Sequence, residues 1–284
     1  GAILLCVAVM EWVERRGAAF IQDRLGPNRV GPMGLFQPIV DAVKLLFKQD
    51  VTPAPASKAL YYAAPMISVF VALVTFIVIP FGAGQDITVF GVPLGGLTVA
   101  PDLSVGILYL LALSALGVYG IVLAGWSSNN KYSLLGGLRS AAQVVSYEVP
   151  LTLSVVGLIL LTGTLSLNKI VLAQSGSFLD WYVIRQPLGA LIFLIAATAE
   201  SNRTPFDLTE ADSEIVAGFA TEYSGMRFGF FFFAEYVNVF IVSALIVTLF
   251  FGGWTAPFDW PWPVSLDPID ARGIGLAWIP LGLG

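Results

Sequence analysis

Two long segments of this chain contain no charged side chain. Residues 60–81 and 103–126 are 22 and 24 residues long, enough for a helix to cross a bilayer core roughly 30 Å thick. Backbone polar groups in lipid must be hydrogen-bonded within the protein, so such segments form helices rather than open sheets. The composition agrees, with 57% hydrophobic residues, 12% charged residues and a mean hydropathy of +0.82. The sequence predicts an all-α, polytopic transmembrane helix bundle.

Several other apolar segments predict further helices. Residues 141–161 and 228–254 are long enough to span a membrane, and residues 181–199 form a weaker candidate because an arginine interrupts their start. Residues 1–10 and 273–284 are short and look clipped. We therefore expect the sequence to omit terminal pieces.

The basic residues are distributed unequally between alternate connections. Eleven of the 14 fall on one side of the predicted spans and three on the other, and residues 82–102 carry none. The side with more Lys and Arg is expected to face the cytoplasm. We predict one integral membrane domain, residues 1–284, with its cytoplasmic-side segments at 22–58, 127–140 and 200–227.

The sequence excludes several kinds of chemistry for this chain alone. It contains no histidine and one cysteine, Cys6, so it cannot build a zinc or iron–sulfur site from these ligands. It has no phosphate-binding loop of the G-x-x-x-x-G-K-[ST] type, and the glycine-rich stretch GPNRVGPMG, residues 26–34, is interpreted as turns.

Two carboxylates lie inside predicted spans. Glu148 and Glu235 each stand seven residues into their segments, where an ionised carboxylate costs about 2.5 to 3.5 kcal/mol unless it is paired or protonated. Such residues point to function, although each could instead make a structural hydrogen bond between helices.

A third acidic feature is the stretch AESNRTPFDLTEADSEIVAGFATEYSG, residues 199–225. Thr204 fits a helix N-cap and Pro205 the first helical position, so we predict a helix that begins there. Asp207, Glu210 and Glu214 would then share one face and raise one another's proton affinity. This pattern suits a proton relay or a cation site, and the alternative is a solvated helix surface.

The segment LFQPIVDAVKLLFKQ, residues 35–49, is amphipathic. Apolar residues recur at helical spacing opposite charged ones. We predict a helix at the membrane interface or against a partner, framing an entrance.

Three motifs in order resemble a known family. They are ERRGAAFIQDRLGPNRVGPMGLFQPIVDAVKLLFKQD, KYSLLGGLRSAAQVVSYE, and the acidic stretch followed by FFFFAEY. They look like the signature segments of subunit 1 of respiratory complex I, the proton-translocating NADH:quinone oxidoreductase. The resemblance covers nearly the whole chain and departs from the family at both ends.

The resemblance implies a bundle of about seven to eight helices that forms the quinone entry tunnel and couples quinone reduction to proton translocation. NADH, FMN and the iron–sulfur clusters would belong to partner subunits of the membrane and peripheral arms, with no nucleic acid among the partners. We expect the bacterial plasma (inner) membrane rather than the mitochondrial inner membrane.

The resemblance also assigns roles to individual residues. Matching the motifs places these residues at the quinone entrance: Glu14, Arg15, Arg16, Gln22, Arg24, Phe219 and Phe228. It places these residues on the path of proton coupling: Arg139, Tyr147, Glu148, Glu200, Arg203, Asp207, Glu210, Asp212, Glu214, Glu222 and Glu235.

Two other classes remain open from the residues alone. A subunit of a membrane-bound hydrogenase or a secondary H+ or Na+ transporter could use the same carboxylates without quinone. A structural anchor for a soluble arm would not need them.

Overall fold

The computed structural model describes residues 2–82, 86–89, 92–96, 103–175, 177–207 and 217–255. The clipped segment at 273–284 and the acidic residues Glu210, Asp212 and Glu214 lie outside these ranges. The helices are α1 (Ala2–Ile21), α2 (Gln37–Phe47), α3 (Lys58–Phe76), α4 (Gly106–Ser127), α5 (Lys131–Thr162), α6 (Leu167–Ala173), α7 (Tyr182–Arg185), α8 (Pro187–Glu200) and α9 (Gly225–Phe250).

The predicted all-α polytopic bundle is confirmed. Helices α3, α4, α5 and α9 are long and apolar enough to cross a membrane, and α8 is a shorter apolar helix. Helices α3, α4 and α9 begin within about three residues of their predicted spans, and α8 ends one residue beyond its span, whereas α5 starts ten residues earlier than predicted. The stretch at 26–34 consists of bends and a short 3-10 turn, as predicted.

Helix α5 is longer than its apolar segment because both of its ends are capped. The Asn130 side chain accepts a hydrogen bond from the Tyr132 amide at the start. At the other end Gly163 adopts a left-handed conformation with φ of 66°. The predicted connection at 127–140 is therefore mostly the first turns of a 32-residue helix.

The predicted span at 181–199 is broken into two helices. Pro187 stands at the start of α8 and Gln186 is non-helical, since proline disfavours a helical conformation for the residue before it. A salt bridge between Arg185 and Asp180 lies beside the break.

The long helices alternate in direction, so their ends form two layers. Helix α3 packs against α4 and α9, α4 packs against α5, and α5 packs against α8. One layer, called here the arginine-rich end, contains the C-terminal half of α1, α2, the start of α5, the turn after α8 and the start of α9. The opposite end contains α6, α7 and the last turn of α9.

Glycines allow α5 to approach its neighbours closely at the arginine-rich end. A Cβ added to Gly136 would lie 2.6 Å from the backbone of Gly218, and one added to Gly137 would lie 3.3 Å from Cα of Gly125. The first distance leaves no room for a side chain, so the segment at 217–224 rests directly on α5 and α4.

Gln174 joins three elements at the opposite end. Its side chain is fully buried, donates to the carbonyls of Ile170 and Thr248, and accepts from the amides of Tyr182 and Gly252. The side-chain amide thus makes two donor and two acceptor hydrogen bonds, and these bonds fix α6, α7 and the end of α9 to one another.

A short hairpin between α3 and α4 was not predicted. Strands β1 (Asp86–Val89) and β2 (Val92–Gly96) pair antiparallel, with Val89 opposite Val92. The hairpin lies in the connection at 82–102, outside the apolar spans, so it leaves the helical fold class unchanged.

Candidate functional site

Arg203 is the centre of a charged cluster at the arginine-rich end. Its Nη1 lies 2.7 Å from Oε1 of Glu14 on α1, and its Nε lies 3.0 Å from Oε1 of Glu235 on α9. The guanidinium stands 4.4 Å from the ring centre of Tyr236, whose hydroxyl donates to Oε2 of Glu14 at 2.9 Å. One arginine thus contacts two carboxylates that are 221 positions apart in the sequence.

The charge state of Arg203 follows from these neighbours. Burial alone would lower the pKa of the guanidinium, but the carboxylates of Glu235 and Glu14 and the Tyr236 hydroxyl outweigh it and raise that pKa. Arg203 therefore stays cationic, and any change of charge in the cluster must occur at its partners.

The turn that carries Arg203 is held by α5. The side-chain amide of Gln143 donates to the carbonyls of Ala199 and Phe206 and to the side-chain oxygen of Asn202. The predicted helix start at Thr204 is wrong, because residues 204–207 form a turn in which the Phe206 amide bonds the Arg203 carbonyl. These contacts use local backbone groups that a helix starting at Pro205 would need.

A cavity of about 160 Å³ lies between α3, α4, α5, α8 and α9. Its walls are mostly apolar, and Phe219 and Phe228 line it together with other phenylalanines of α8 and α9. The polar side chains that line it are Ser68, Thr75, Ser114, Glu200, Ser201, Asn202, Glu235 and Asn238. An apolar cavity with a few convergent polar groups is typical of a binding or transfer site.

Glu200 and Glu235 approach this cavity from different helices. Glu200 ends α8, where Ser114 on α4 is a hydrogen-bond partner and Glu148 on α5 interacts with it electrostatically. Glu235 lies on α9 and reaches Arg203. The cavity thus has one carboxylate, Glu235, that pairs with Arg203 and a second, Glu200, that interacts with Glu148.

A second set of contacts ties α1 to α2. Arg15 forms salt bridges with Glu11 and Asp41, and Gln37 donates to Asp41. Partial burial would raise the pKa of Asp41, but the hydrogen bonds from Arg15 and Gln37 outweigh it and lower that pKa below its usual range. The pair therefore holds the amphipathic helix against α1 while Asp41 is ionised.

The remaining residues near α1 differ in their surroundings. Arg16 donates to the carbonyl of Met33 and lies over the Trp12 ring at 5.4 Å. Arg24 donates to Gln22, and both are exposed, away from the Arg203 cluster. The structure thus places Glu14 in the cluster and Arg15 and Arg16 in the α1 contacts, and it does not bring Gln22 and Arg24 into either.

The predicted coupling residues also separate into groups. Tyr147 packs its ring against Phe206 at 5.3 Å, whereas Arg139 is exposed on α5. Glu222 accepts from the Asn130 side chain, and its carbonyl accepts from Tyr61. Asp207 is the last described residue before the gap at 208–216 in the acidic stretch.

Sequence reasoning missed Tyr236, Gln143 and Ser114. Tyr236 directly follows Glu235 in FFFFAEY, so its position could have been found from the motif. Gln143 and Ser114 are single polar residues in apolar helices, and only the packing of α5 against α4 and α8 shows their partners. Within the described ranges no group of three His, Cys, Asp or Glu residues is placed to hold a metal ion.

Comparisons with known proteins give a consistent result. The family model for NADH dehydrogenase matches residues 1–281. A protein from Salinibacter ruber, named as the H subunit of NADH-quinone oxidoreductase, is 51% identical over 269 residues, covering 94% of this chain and 74% of its own. A protein from Rhodothermus marinus, named NADH-quinone oxidoreductase subunit 8, is 51% identical over 260 residues, covering 91% of this chain and 72% of its own. An H subunit of the same enzyme from Solibacter usitatus is 49% identical and covers 96% of this chain and 69% of its own.

Proposed function

The chain belongs to the NADH dehydrogenase family, with the H subunits of NADH-quinone oxidoreductase as its relatives, and on that basis we propose that it is the membrane subunit of an NADH:quinone oxidoreductase that admits quinone and couples its reduction to proton translocation. NADH, FMN and iron–sulfur clusters are assigned to partner subunits of the membrane and peripheral arms. The protein would lie in the bacterial inner membrane as a multi-pass subunit.

The observation that supports coupling is the continuity of charged groups from α1 into the bundle. Glu14 contacts Arg203, and Arg203 contacts Glu235. Glu235 and Glu200 both line the cavity, and Glu148 interacts electrostatically with Glu200. This series extends from the C-terminal half of α1 to carboxylates inside the apolar bundle, as a proton-coupling path requires.

The series also supports a way for charge to be transmitted. Quinone reduction changes the charge of the headgroup, and a new charge near Glu14 alters how strongly Glu14 holds Arg203. Arg203 contacts the carboxylates of both Glu14 and Glu235, so a weaker contact with Glu14 favours a stronger contact with Glu235. Its partners then change their proton occupancy together.

Quinone entry is supported by the apolar surface around this series. Helix α2 exposes large hydrophobic residues, Ile39 at 53% and Leu46 at 62%, and Phe228 at the start of α9 is 37% exposed and lines the cavity. Helices α1 and α2 pack against each other and against α9. We assign the entrance to the surface between these three helices, where an isoprenoid tail could enter from lipid.

The arginine-rich end is assigned to the cytoplasmic side, together with segments 22–58, 127–140 and 200–227 of the single membrane domain. A cysteine introduced at Thr88 in the β1–β2 hairpin, with Cys6→Ser as background, should react with an impermeant thiol reagent only from the opposite side. Labelling from the cytoplasm would overturn this assignment.

The experiment for the proposed function compares Glu200→Gln with Asp180→Asn in the assembled complex. Asp180 is a matched control because its carboxylate pairs with Arg185 at the opposite end. We expect Glu200→Gln to lower NADH:quinone activity and proton pumping together, with NADH:ferricyanide activity retained, and Asp180→Asn to keep all three. Normal quinone reduction and pumping in Glu200→Gln would contradict the coupling role.

The entrance has a separate test. A quinone with a photoreactive group on its tail should label α1, α2 or the start of α9 in the native complex. Labels confined to the 82–102 connection would remove the proposed entrance.

A further inference from the structure

Arg227 is the third residue of α9 and is not part of the charged series described above. Its side chain is 14% exposed, although a cation near a helix N-terminus opposes the helix dipole. Three interactions compensate it: an ion pair with Asp50 at 2.8 Å, a hydrogen bond to Thr52 at 2.7 Å and one to the Tyr62 hydroxyl at 2.9 Å.

All of these partners lie on the same piece of chain. Asp50 and Thr52 belong to the connection between α2 and α3, and Tyr62 lies in the first turns of α3. The guanidinium also faces the Tyr62 ring at 4.2 Å. The fork shape of arginine allows these contacts at once, which an ammonium group cannot reproduce.

Neighbouring backbone contacts join the same two elements. The Val51 amide donates to the Ser224 hydroxyl at 3.0 Å. Gly225 has φ of 57°, and a Cβ there would lie 3.2 Å from the carbonyl oxygen of Lys48. The connection therefore lies directly on the start of α9.

This attachment reaches the entrance through α2. A Cβ added to Gly229, half a turn beyond Arg227, would lie 3.1 Å from Cδ1 of Leu45 on α2. Phe228, between these two α9 positions, lines the cavity. The end of α2 is thus held in contact with the start of α9, beside Phe228, which is partly exposed and lines the cavity.

We propose that Arg227 is a positioning residue of the quinone entrance, which ties the α2–α3 connection to α9 and so fixes α2 at the side of the entrance through which the isoprenoid tail passes. The proposal rests on the proposed function. It assigns Arg227 no contact with the quinone headgroup and no part in proton transfer.

The test separates passage of the tail from the reaction itself. Arg227→Lys and Arg227→Met complexes are reconstituted in proteoliposomes, and kcat and KM are measured with quinones of one headgroup that carry one or eight isoprene units. We expect KM for the long-tailed quinone to rise about fivefold, KM for the short-tailed one to change less than about twofold, and kcat to be retained. Tyr62→Phe, which removes one hydroxyl and keeps the ring, should raise KM for the long-tailed quinone about twofold. If Arg227→Met does not assemble, Tyr62→Phe and Arg227→Lys provide the test.

Lys58→Met is the control because it removes an exposed cation from the start of α3. It should leave both KM values unchanged. An unchanged long-tail KM in the Arg227 variants, or an equal change for both quinones, would overturn the proposal. Labelling of the wild-type complex with a tail-labelled quinone separates the proposed entrance from the role of Arg227. Labels on α1, α2 or α9 together with unchanged KM values in the Arg227 variants would refute only the role of Arg227. Labels elsewhere would refute the entrance itself.

Discussion

Replacing Arg203 by Met removes the side chain that joins Glu14 to Glu235. The variant leaves two carboxylates and the Tyr236 ring around an apolar side chain. Because the side chains of Arg203, Glu14 and Glu235 are 24%, 50% and 21% exposed, the cluster is neither a surface pair nor a fully buried one.

The expected cost follows from this intermediate burial. Surface pairs contribute about 0 to 1 kcal/mol, and removing one partner of a buried pair costs about 3 to 5 kcal/mol, which places this cluster at about 2 kcal/mol. The lost contact with the Tyr236 ring adds about 1 kcal/mol. If half of the total of about 3 kcal/mol acts on the quinone reaction, kcat/KM for quinone falls about tenfold.

The assay compares NADH:quinone activity, proton pumping and NADH:ferricyanide activity in purified complex. Arg203→Met should lower the first two and retain the third. Glu14→Gln/Arg203→Met removes one of the stranded charges and should recover part of the loss, a coupling of about 1 kcal/mol in a double-mutant cycle. Arg185→Met is the matched control, because its pair with Asp180 is 50% and 38% exposed and contributes little.

Two outcomes would refute this reasoning. Quinone reduction and pumping at wild-type rates in Arg203→Met would show that the cluster is dispensable. Strictly additive effects in the double variant would show that Glu14 and Arg203 act independently despite their 2.7 Å contact.

Two further predictions concern stability. Gln174→Leu leaves the buried amides of Tyr182 and Gly252 without a hydrogen-bond acceptor, so we expect it to lower the free energy of unfolding by about 3 kcal/mol. The measurement is the melting temperature of the solubilised complex, and Gln49→Leu at an exposed position is the control. Asp41→Asn weakens the contact between α1 and α2 and should lower the melting temperature equally at about pH 6 and pH 8. The pKa of Asp41 is lowered in the folded state, so the stability that its carboxylate contributes is complete above the unfolded pKa of about 4 and is lost only as pH falls through the lower folded pKa. A drop in melting temperature confined to pH 6 would contradict this prediction.

The sequence was informative where hydrophobic periodicity and length decide the structure. The long apolar segments predicted α3, α4 and α9 closely, and the alternation of charged and apolar residues predicted α2. The start of α5 was missed because residues 131–140 are not apolar enough to count as membrane-spanning, and the Asn130 cap that begins the helix is a local signal. The break at Gln186 followed from Pro187, which the composition of the segment concealed.

The candidate site could be predicted only in part. Motifs indicated Glu14, Arg203 and Glu235 individually, but their contact depends on how α1, the turn after α8 and α9 pack, and no spacing in the sequence encodes it. The helix start expected at Thr204 was wrong because N-cap preference is weaker than the competing hydrogen bonds from Gln143 and within the turn at 204–207. The part of the acidic stretch with Glu210, Asp212 and Glu214 lies outside the described residues, so its role stays a prediction.

Pro150 has a mechanical consequence for the long helix α5. Proline has no amide hydrogen, so the carbonyl of Ser146 lacks its usual helical donor at this point. The first part of α5, about 28 Å of helix, carries Gln143 and Glu148, and the remaining part, about 20 Å, carries neither. A bend at the proline would let the first part of α5 tilt together with the turn after α8, to which Gln143 is hydrogen-bonded. The second part of α5 would keep its packing against α8.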